Sequence, residues 1–220
     1  MTLKTQSKRT TRSASILLAI FASLFYNPIY TRALGNVVSL PALTDFSLSV
    51  QNGNAKALRG VYVDNVLALP IVQQPSDSAA FVSRNDSEVT QFSMPARYGN
   101  VGLLAHNYLS GKLFSSLAIG QQVHLIYGDG RIETFVISEV LRYQALQPTS
   151  PYSSFRNLDQ DEGTLSANQM FTRAYLGDRH VTFQTCIEAY GNSSWGRLFV
   201  IAEPKSEDIS ITLPQLNRYN

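Results

Sequence analysis

Three residues whose side chains support covalent catalysis lie at the ends of predicted strands. Cys186 ends the run Thr-Phe-Gln-Thr-Cys, His106 follows Leu-Leu-Ala, and Arg197 opens Arg-Leu-Phe-Val-Ile. A cysteine thiolate can attack a carbonyl carbon, an imidazole can exchange a proton with the leaving amine, and a guanidinium can stabilise the oxyanion. We therefore predict that Cys186, His106 and Arg197 are the catalytic residues of an acyl-transfer site.

Four residues beside this set are predicted to bind substrate or to support the catalytic groups. Thr185 adjoins the cysteine and either orients the thiol or packs structurally. Ala105 and Asn107 flank the histidine, and Asn107 is a candidate third group that holds the imidazole. Trp195 lies two residues before the arginine, where it either lines a groove or caps a turn.

The order and spacing of these residues resemble those of the sortases, cysteine transpeptidases of the bacterial cell surface. The sortase motif Thr-Leu-x-Thr-Cys corresponds to Thr182-Phe-Gln-Thr-Cys186, with Phe183 in place of leucine. The family histidine follows an apolar strand, as in Gly102-Leu-Leu-Ala-His106-Asn107, and the family arginine lies about a dozen residues after the cysteine. The resemblance covers roughly residues 57–204.

This resemblance implies a fold and an activity. The fold is a closed all-β barrel of about eight strands, with residues 143–179 walling the substrate groove. The activity is cleavage of a sorting-signal peptide at a Thr–Gly type bond through an acyl-enzyme on Cys186. The acyl group then passes to an amine on a cell-wall precursor or on a surface or pilin protein, without a cofactor. Two alternatives remain open: a thiol peptidase that hydrolyses the acyl-enzyme, and an inactive peptide-binding barrel.

The remainder of the chain is consistent with an all-β domain. Short runs rich in Val, Ile, Phe, Tyr and Thr alternate with turn residues, which favours a sandwich or a barrel. The Gly128-Asp129-Gly130 turn predicts a hairpin, because glycine adopts a positive φ without strain. Residues 109–119 and 165–176 predict one or two short helices. Strands are predicted at 58–63, 66–72, 79–83, 89–92, 101–106, 122–127, 131–141, 180–187 and 197–202.

The N-terminal segment has the plan of an export signal. Residues 1–33 carry five basic and no acidic residues, and 19 uncharged residues run from Ser13 to Thr31. We predict a signal peptide or membrane anchor at 1–33, a stalk at 34–56, the catalytic barrel at 57–210 and a tail at 211–220. The catalytic domain is then placed on the extracytoplasmic side of the cell membrane, or is secreted if the leader is cleaved.

Composition excludes several classes of site. One cysteine rules out an internal disulfide and a cysteine-rich zinc site. Outside the leader, 13 basic residues stand against 16 acidic ones, which argues against a nucleic-acid partner. Asp159, Asp161 and Glu162 form an acidic cluster. It is read chiefly as a solvated loop, with calcium binding as the less favoured alternative.

Overall fold

The structure is a computed structural model that describes residues 39–161 and 163–205. The predicted leader at 1–33 and the predicted tail at 211–220 lie outside the described residues. Within the described ranges, no helix is long and apolar enough to cross a membrane.

Within the described residues, ten strands form one continuous sheet that closes on itself. The strands are β1 (Leu58–Val63), β2 (Leu67–Gln73), β3 (Val89–Phe92), β4 (Val101–Leu104), β5 (Gln122–Tyr127), β6 (Ile132–Ala145), β7 (Phe155–Asn157), β8 (Thr164–Leu165), β9 (Val181–Ala189) and β10 (Asn192–Pro204). Strands β1, β2, β3, β4, β9, β10, β6 and β5 make a ring of eight, because β10 pairs with both β9 and β6. Neighbours in the ring are antiparallel except for β2–β3 and β4–β9, which are parallel. The predicted closed all-β barrel of about eight strands is therefore confirmed.

Side chains that alternate along the strands fill the interior of the barrel. On β9, Val181 and Phe183 point into the interior and are fully buried, whereas the even-numbered residues face outward. Phe183 packs edge-on against Phe114, with ring centroids 5.1 Å apart. Phenylalanine in place of the family leucine thus contributes a large side chain to the core.

The β5–β6 hairpin follows its predicted turn, with Gly130 at φ +91°. Residues 109–119 form a 3₁₀ helix, Ser110–Ser116, at the predicted position. The helix predicted at 165–176 is α3 (Ala167–Tyr175), and a capping box between Ser166 and Gln169 starts it. A single turn, α2 (Ser93–Ala96), follows β3.

The predicted stalk at 34–56 contains a helix, α1 (Leu43–Val50), that packs on the barrel. Phe46 and Val50 are buried against Tyr62 and Ile126. A Cβ at Gly60 would lie 3.0 Å from the Phe46 ring, so glycine lets the helix approach the sheet. Residues 43–50 are therefore part of the folded domain, because two apolar residues one turn apart meet a complementary patch.

Two further expectations are corrected. Residues 79–83 form no strand; they belong to the long β2–β3 connection. Residues 143–179 are less irregular than expected, since β6 runs to Ala145 and β7, β8 and α3 follow. The difference at 143–179 arises from long-range contacts, because β6 is extended by its pairing with β10 and β7.

Candidate active site

Cys186 and Arg197 lie opposite one another on neighbouring antiparallel strands. The β9–β10 register pairs them directly, so both side chains lie on the outer face of the barrel. Side chains in such a pair have Cβ atoms about 4.5–5.5 Å apart. Both residues are half-buried. They lie inside their strands, whereas the sequence pattern had put Cys186 at a strand end and Arg197 at a strand start.

His106 lies beside the same face, just past the end of β4. Strand β4 is parallel to β9, with Leu104 opposite Gln184. His106 and Cys186 each lie two residues beyond that pair, and the Ala105 amide continues the ladder by donating to the Gln184 carbonyl at 3.3 Å. The topology thus brings His106, Cys186 and Arg197 into one row across β4, β9 and β10. Cys186 is in the middle of the row.

The Arg197 guanidinium is held by backbone carbonyls. Nη1 donates to the carbonyl oxygens of Ser194 (2.9 Å) and Gly196 (2.8 Å), and Nη2 donates to that of Pro148 (3.3 Å). A guanidinium has five N–H donors, so these bonds leave two without a partner among the described residues. The side chain is therefore fixed in orientation while it keeps donors for a substrate oxygen.

An apolar groove of about 320 Å³ reaches the row beside Arg197 and Gln184. We call it the substrate groove. Its volume is within the usual range for ligand sites. The 143–179 region supplies most of one wall, as predicted. Its other lining residues are Ala79, Ala80, Val82, Phe92, Leu104, Ser150, Pro151, Phe155, Ala167, Met170, Phe171, Tyr175 and Phe199.

Gln184 is the polar residue that β9 contributes to this groove. Its side-chain carbonyl already accepts a hydrogen bond. Its Oε1 accepts a hydrogen bond from the Tyr175 hydroxyl. Burial raises the pKa of the Tyr175 phenol, so the phenol stays protonated and remains a donor. The contact fixes the Gln184 side chain in the wall two residues before the cysteine.

Thr185 and Ala105 tie the histidine segment to the cysteine strand. Thr185 is buried, faces the barrel interior and donates to the Ala105 carbonyl at 2.9 Å. Because its side chain points away from the outer face, Thr185 does not line the substrate groove. Both residues thus hold the backbone beneath the row of His106, Cys186 and Arg197.

Asn107 and Tyr108 flank the imidazole in different ways. The Asn107 amide donates to the Ser193 carbonyl at the start of β10, at 3.0 Å. It therefore anchors the backbone beside His106, and no contact joins it to the imidazole in the described structure. The Tyr108 ring instead stacks on the His106 ring, with centroids 5.2 Å apart and planes 19° apart.

Trp195 lies in β10 and packs edge-on against Tyr190, with centroids 5.8 Å apart. Tyr190 occupies the β9–β10 turn at φ +52° and is 93% exposed. Trp195 does not line the substrate groove. Its contact with Tyr190 therefore favours the interpretation that Trp195 caps a turn over the one that it lines a groove.

The acidic cluster is only partly described. Asp159 accepts hydrogen bonds from the Arg142 guanidinium, one of them from Nε at 3.2 Å. This contact raises the pKa of Arg142. Glu162 lies outside the described residues, so calcium binding there stays a prediction.

Sequence reasoning missed Tyr108, Tyr175 and Gln184. Gln184 is the variable position of the cysteine motif, and strand alternation alone places it on the same face as Cys186. Tyr108 and Tyr175 carry no such signal, because each reaches the site through a tertiary contact.

Neither a protein-family model nor a curated protein matches the chain. Its fold does have similar solved structures. These structures are sortases. Sortase C-1 from Actinomyces oris is 12% identical, with a TM-score of 0.46 over 77% of this chain and 83% of that one.

Two further similar structures include a peptide or a sorting motif. Sortase E1 from Streptomyces coelicolor with a tripeptide in the active site is 16% identical, with a TM-score of 0.43 over 71% of this chain and 91% of that one. Clostridium perfringens sortase C with the C-terminal cell wall sorting motif is 19% identical, with a TM-score of 0.43 over 73% of this chain and 75% of that one. At these identities and scores, function has to be argued from the residues of this chain.

Proposed function

We propose that this chain is a sortase-type cysteine transpeptidase. It cleaves a sorting-signal peptide at a Thr–Gly type bond and transfers the acyl part to an amine on a cell-wall precursor or on a surface or pilin protein. The observation that carries the proposal is the row formed by His106, Cys186 and Arg197 at one end of the substrate groove. The groove is suited to an extended apolar peptide segment, and the row supplies a nucleophile, a proton carrier and an oxyanion donor.

The first step acylates the enzyme. The Cys186 thiol gives its proton to His106, and the thiolate attacks the threonine carbonyl carbon while the remaining donors of Arg197 stabilise the oxyanion. The C–N bond then breaks, His106 gives a proton to the leaving glycine amine, and a thioester remains on Cys186.

The second step releases the product. A neutral amine attacks the thioester carbonyl, and His106 takes the proton that the amine loses. The C–S bond breaks, the Cys186 thiolate leaves, and a new amide bond is formed. Water in place of the amine would give a carboxylic acid, which is the thiol peptidase reaction.

The leader at 1–33 completes the proposal. It holds the chain at the cell membrane with the catalytic domain on the extracytoplasmic side, where surface proteins and cell-wall precursors meet. Its support is the basic start followed by an uncharged, largely apolar segment.

A direct test incubates the full 220-residue chain, in detergent, with a library of x-Pro-x-Thr-Gly-type peptides and triglycine as the amine. Mass spectrometry follows adducts on Cys186 and the released products. An acyl adduct that passes to triglycine is expected for the wild type, and none is expected for Cys186→Ala. Thermal unfolding checks that this variant folds.

The other outcomes separate the alternatives. An adduct that decays only to the acid supports the thiol peptidase. No adduct with any peptide, from a folded protein, contradicts the enzymatic proposal and leaves the peptide-binding barrel.

A further inference from the structure

A second cavity of about 640 Å³ lies beside His106. We call it the His106 cavity. Its walls include His106 and Tyr108, together with Val72 from β2 and Ser83, Arg84 and Glu88 from the β2–β3 connection. Arg197 and Gln184 line the substrate groove but not this cavity.

The two spaces share one wall. Ala80 and Val82 line both the substrate groove and the His106 cavity. The buried Gln74 side chain holds this wall in place by donating to the carbonyls of Ala79 (3.0 Å) and Phe81 (3.1 Å). The β2–β3 connection therefore divides the surface around the catalytic row into an arginine side and a histidine side.

The two sides suit the two halves of an acyl transfer. An acyl group that fills the substrate groove beside Arg197 blocks that approach to Cys186. The second nucleophile has to deliver its proton to His106, so it has to reach the row on the side that His106 lines.

Fixed charges in the His106 cavity suit a primary amine. Glu88 Oε2 accepts from the Ser83 hydroxyl at 2.8 Å, and Oε1 accepts from the Asn85 amide at 3.0 Å. These donors are neutral, so they orient the carboxylate without cancelling its charge. The neighbouring acid Asp86 is instead paired with Lys112 at 3.0 Å.

Arg84 adds a positive charge at the exposed edge of the same cavity. An ammonium group beside Glu88 and a carboxylate beside Arg84 would satisfy both residues. The charge pattern therefore favours an acceptor that carries a carboxylate as well as its amine, as a short peptide does.

We propose that the His106 cavity is the binding site for the acceptor amine, with Glu88 binding the ammonium group and Arg84 the carboxylate; this rests on the proposed transpeptidase function. The amine binds as a cation, loses one proton to solvent, and gives up the second to His106 as it attacks the thioester.

The test compares how the acyl-enzyme partitions between triglycine and water. It uses the full chain, one peptide that forms the adduct, and a series of triglycine concentrations. The ratio of amide to acid is taken per acyl-enzyme consumed, so that any change in acylation cancels. Glu88→Gln should need about fivefold more triglycine for the same ratio, at the upper end for a partly exposed ion pair. Glu203→Gln removes the same charge at a remote cavity and should keep the wild-type ratio.

A second variant probes the other charge. Wild-type enzyme should use triglycine about threefold better than triglycine amide, and Arg84→Gln should remove that preference. Arg84 is exposed, so this variant is expected to fold.

The outcomes separate the two levels of the proposal. The acceptor site is overturned, and the transpeptidase is left intact, by either of two results. One is an amide-to-acid ratio for Glu88→Gln within twofold of the wild-type ratio. The other is a fall in this ratio for Glu203→Gln equal to that for Glu88→Gln. No acyl adduct in the wild-type protein overturns the proposed function and the acceptor site with it.

Discussion

At the scale of single residues, the shape of Arg197 matters as much as its charge. Its planar fork serves three backbone carbonyls and still has donors for an oxyanion. Arg197→Lys keeps one positive charge, but an ammonium group has only three donors for the three carbonyls and the oxyanion. For Arg197→Ala, we expect kcat/KM to fall about 10²–10³-fold, as it does when an oxyanion donor is lost. For Arg197→Lys, we expect a loss within about tenfold of the loss for Arg197→Ala.

The measurement is kcat/KM with the peptide found by the adduct screen, together with thermal unfolding of both variants. Equal unfolding temperatures would assign the loss to the transition state. A lysine variant with wild-type rates would show that charge alone is sufficient.

At the scale of elements, the start of the 3₁₀ helix holds the histidine segment against β9. Gly111 is buried there, and a Cβ on it would lie 2.4 Å from Thr185 Oγ1 and 2.6 Å from the His106 carbonyl oxygen. Gly111→Ala should therefore cost about 1–3 kcal/mol of stability by overpacking. It should also lower kcat/KM, because the displaced carbonyl belongs to His106.

Urea unfolding measures the first effect and turnover the second. Ser116→Ala, at the exposed end of the same 3₁₀ helix, is the control and should change neither. An unchanged Gly111→Ala would mean that the segment can move away from β9 without cost.

The buried Gln74 side chain helps to hold the β2–β3 connection in place. Gln74 donates to two loop carbonyls, and its Oε1 accepts from the Ser93 amide (3.1 Å) and hydroxyl (2.8 Å). Gln74→Leu leaves these groups unpaired, which we expect to cost about 1–3 kcal/mol. Because this connection lines the substrate groove, KM for the peptide should also rise.

Limited proteolysis gives the clearest readout, with faster cleavage expected within residues 75–88. The control is Gln73→Leu. Gln73 is exposed and donates one bond, to the Leu58 carbonyl at 3.0 Å, so its loss should leave the loop protected. Equal cleavage of the two variants would contradict the role of Gln74.

At the scale of the whole molecule, the sequence predicted the elements better than their contacts. Strands β1, β3 and β5 begin and end where alternation and turn residues place them. The catalytic row, by contrast, depends on the parallel pairing of β4 with β9, about 80 residues apart in the chain. No local pattern carries that pairing; the family resemblance implied a closed barrel. Residues 79–83 were predicted as a strand because they form a short, mostly apolar run. Hydrogen bonds to the Gln74 and Thr90 side chains hold them as a loop instead.

A charged network joins distant parts of the barrel and should make the stability of the fold depend on pH. Glu133 accepts hydrogen bonds from Arg179, Arg131 and the Tyr127 hydroxyl, while Arg179 also donates to the Gly99 carbonyl at 2.8 Å. Burial alone raises the pKa of Glu133, but these donors outweigh it, so its pKa is lowered from the usual 4.5. A carboxylate with a lowered pKa stabilises the fold at pH values above about 4.5, and this contribution is lost as the pH falls through its folded-state value.

Glu133→Gln should therefore lower the unfolding temperature by about 2–4 °C at pH 7, corresponding to about 1 kcal/mol for a partly exposed site. The difference from wild type should shrink as the pH drops from 4.5 towards 3. Circular dichroism melts at pH 7, 5, 4 and 3 measure it. Asp86→Asn, which breaks a pair whose side chains are 54% and 52% exposed, should give a smaller drop at pH 7. A Glu133→Gln difference that stays constant down to pH 3 would mean that the network stabilises the barrel through its shape rather than its charge.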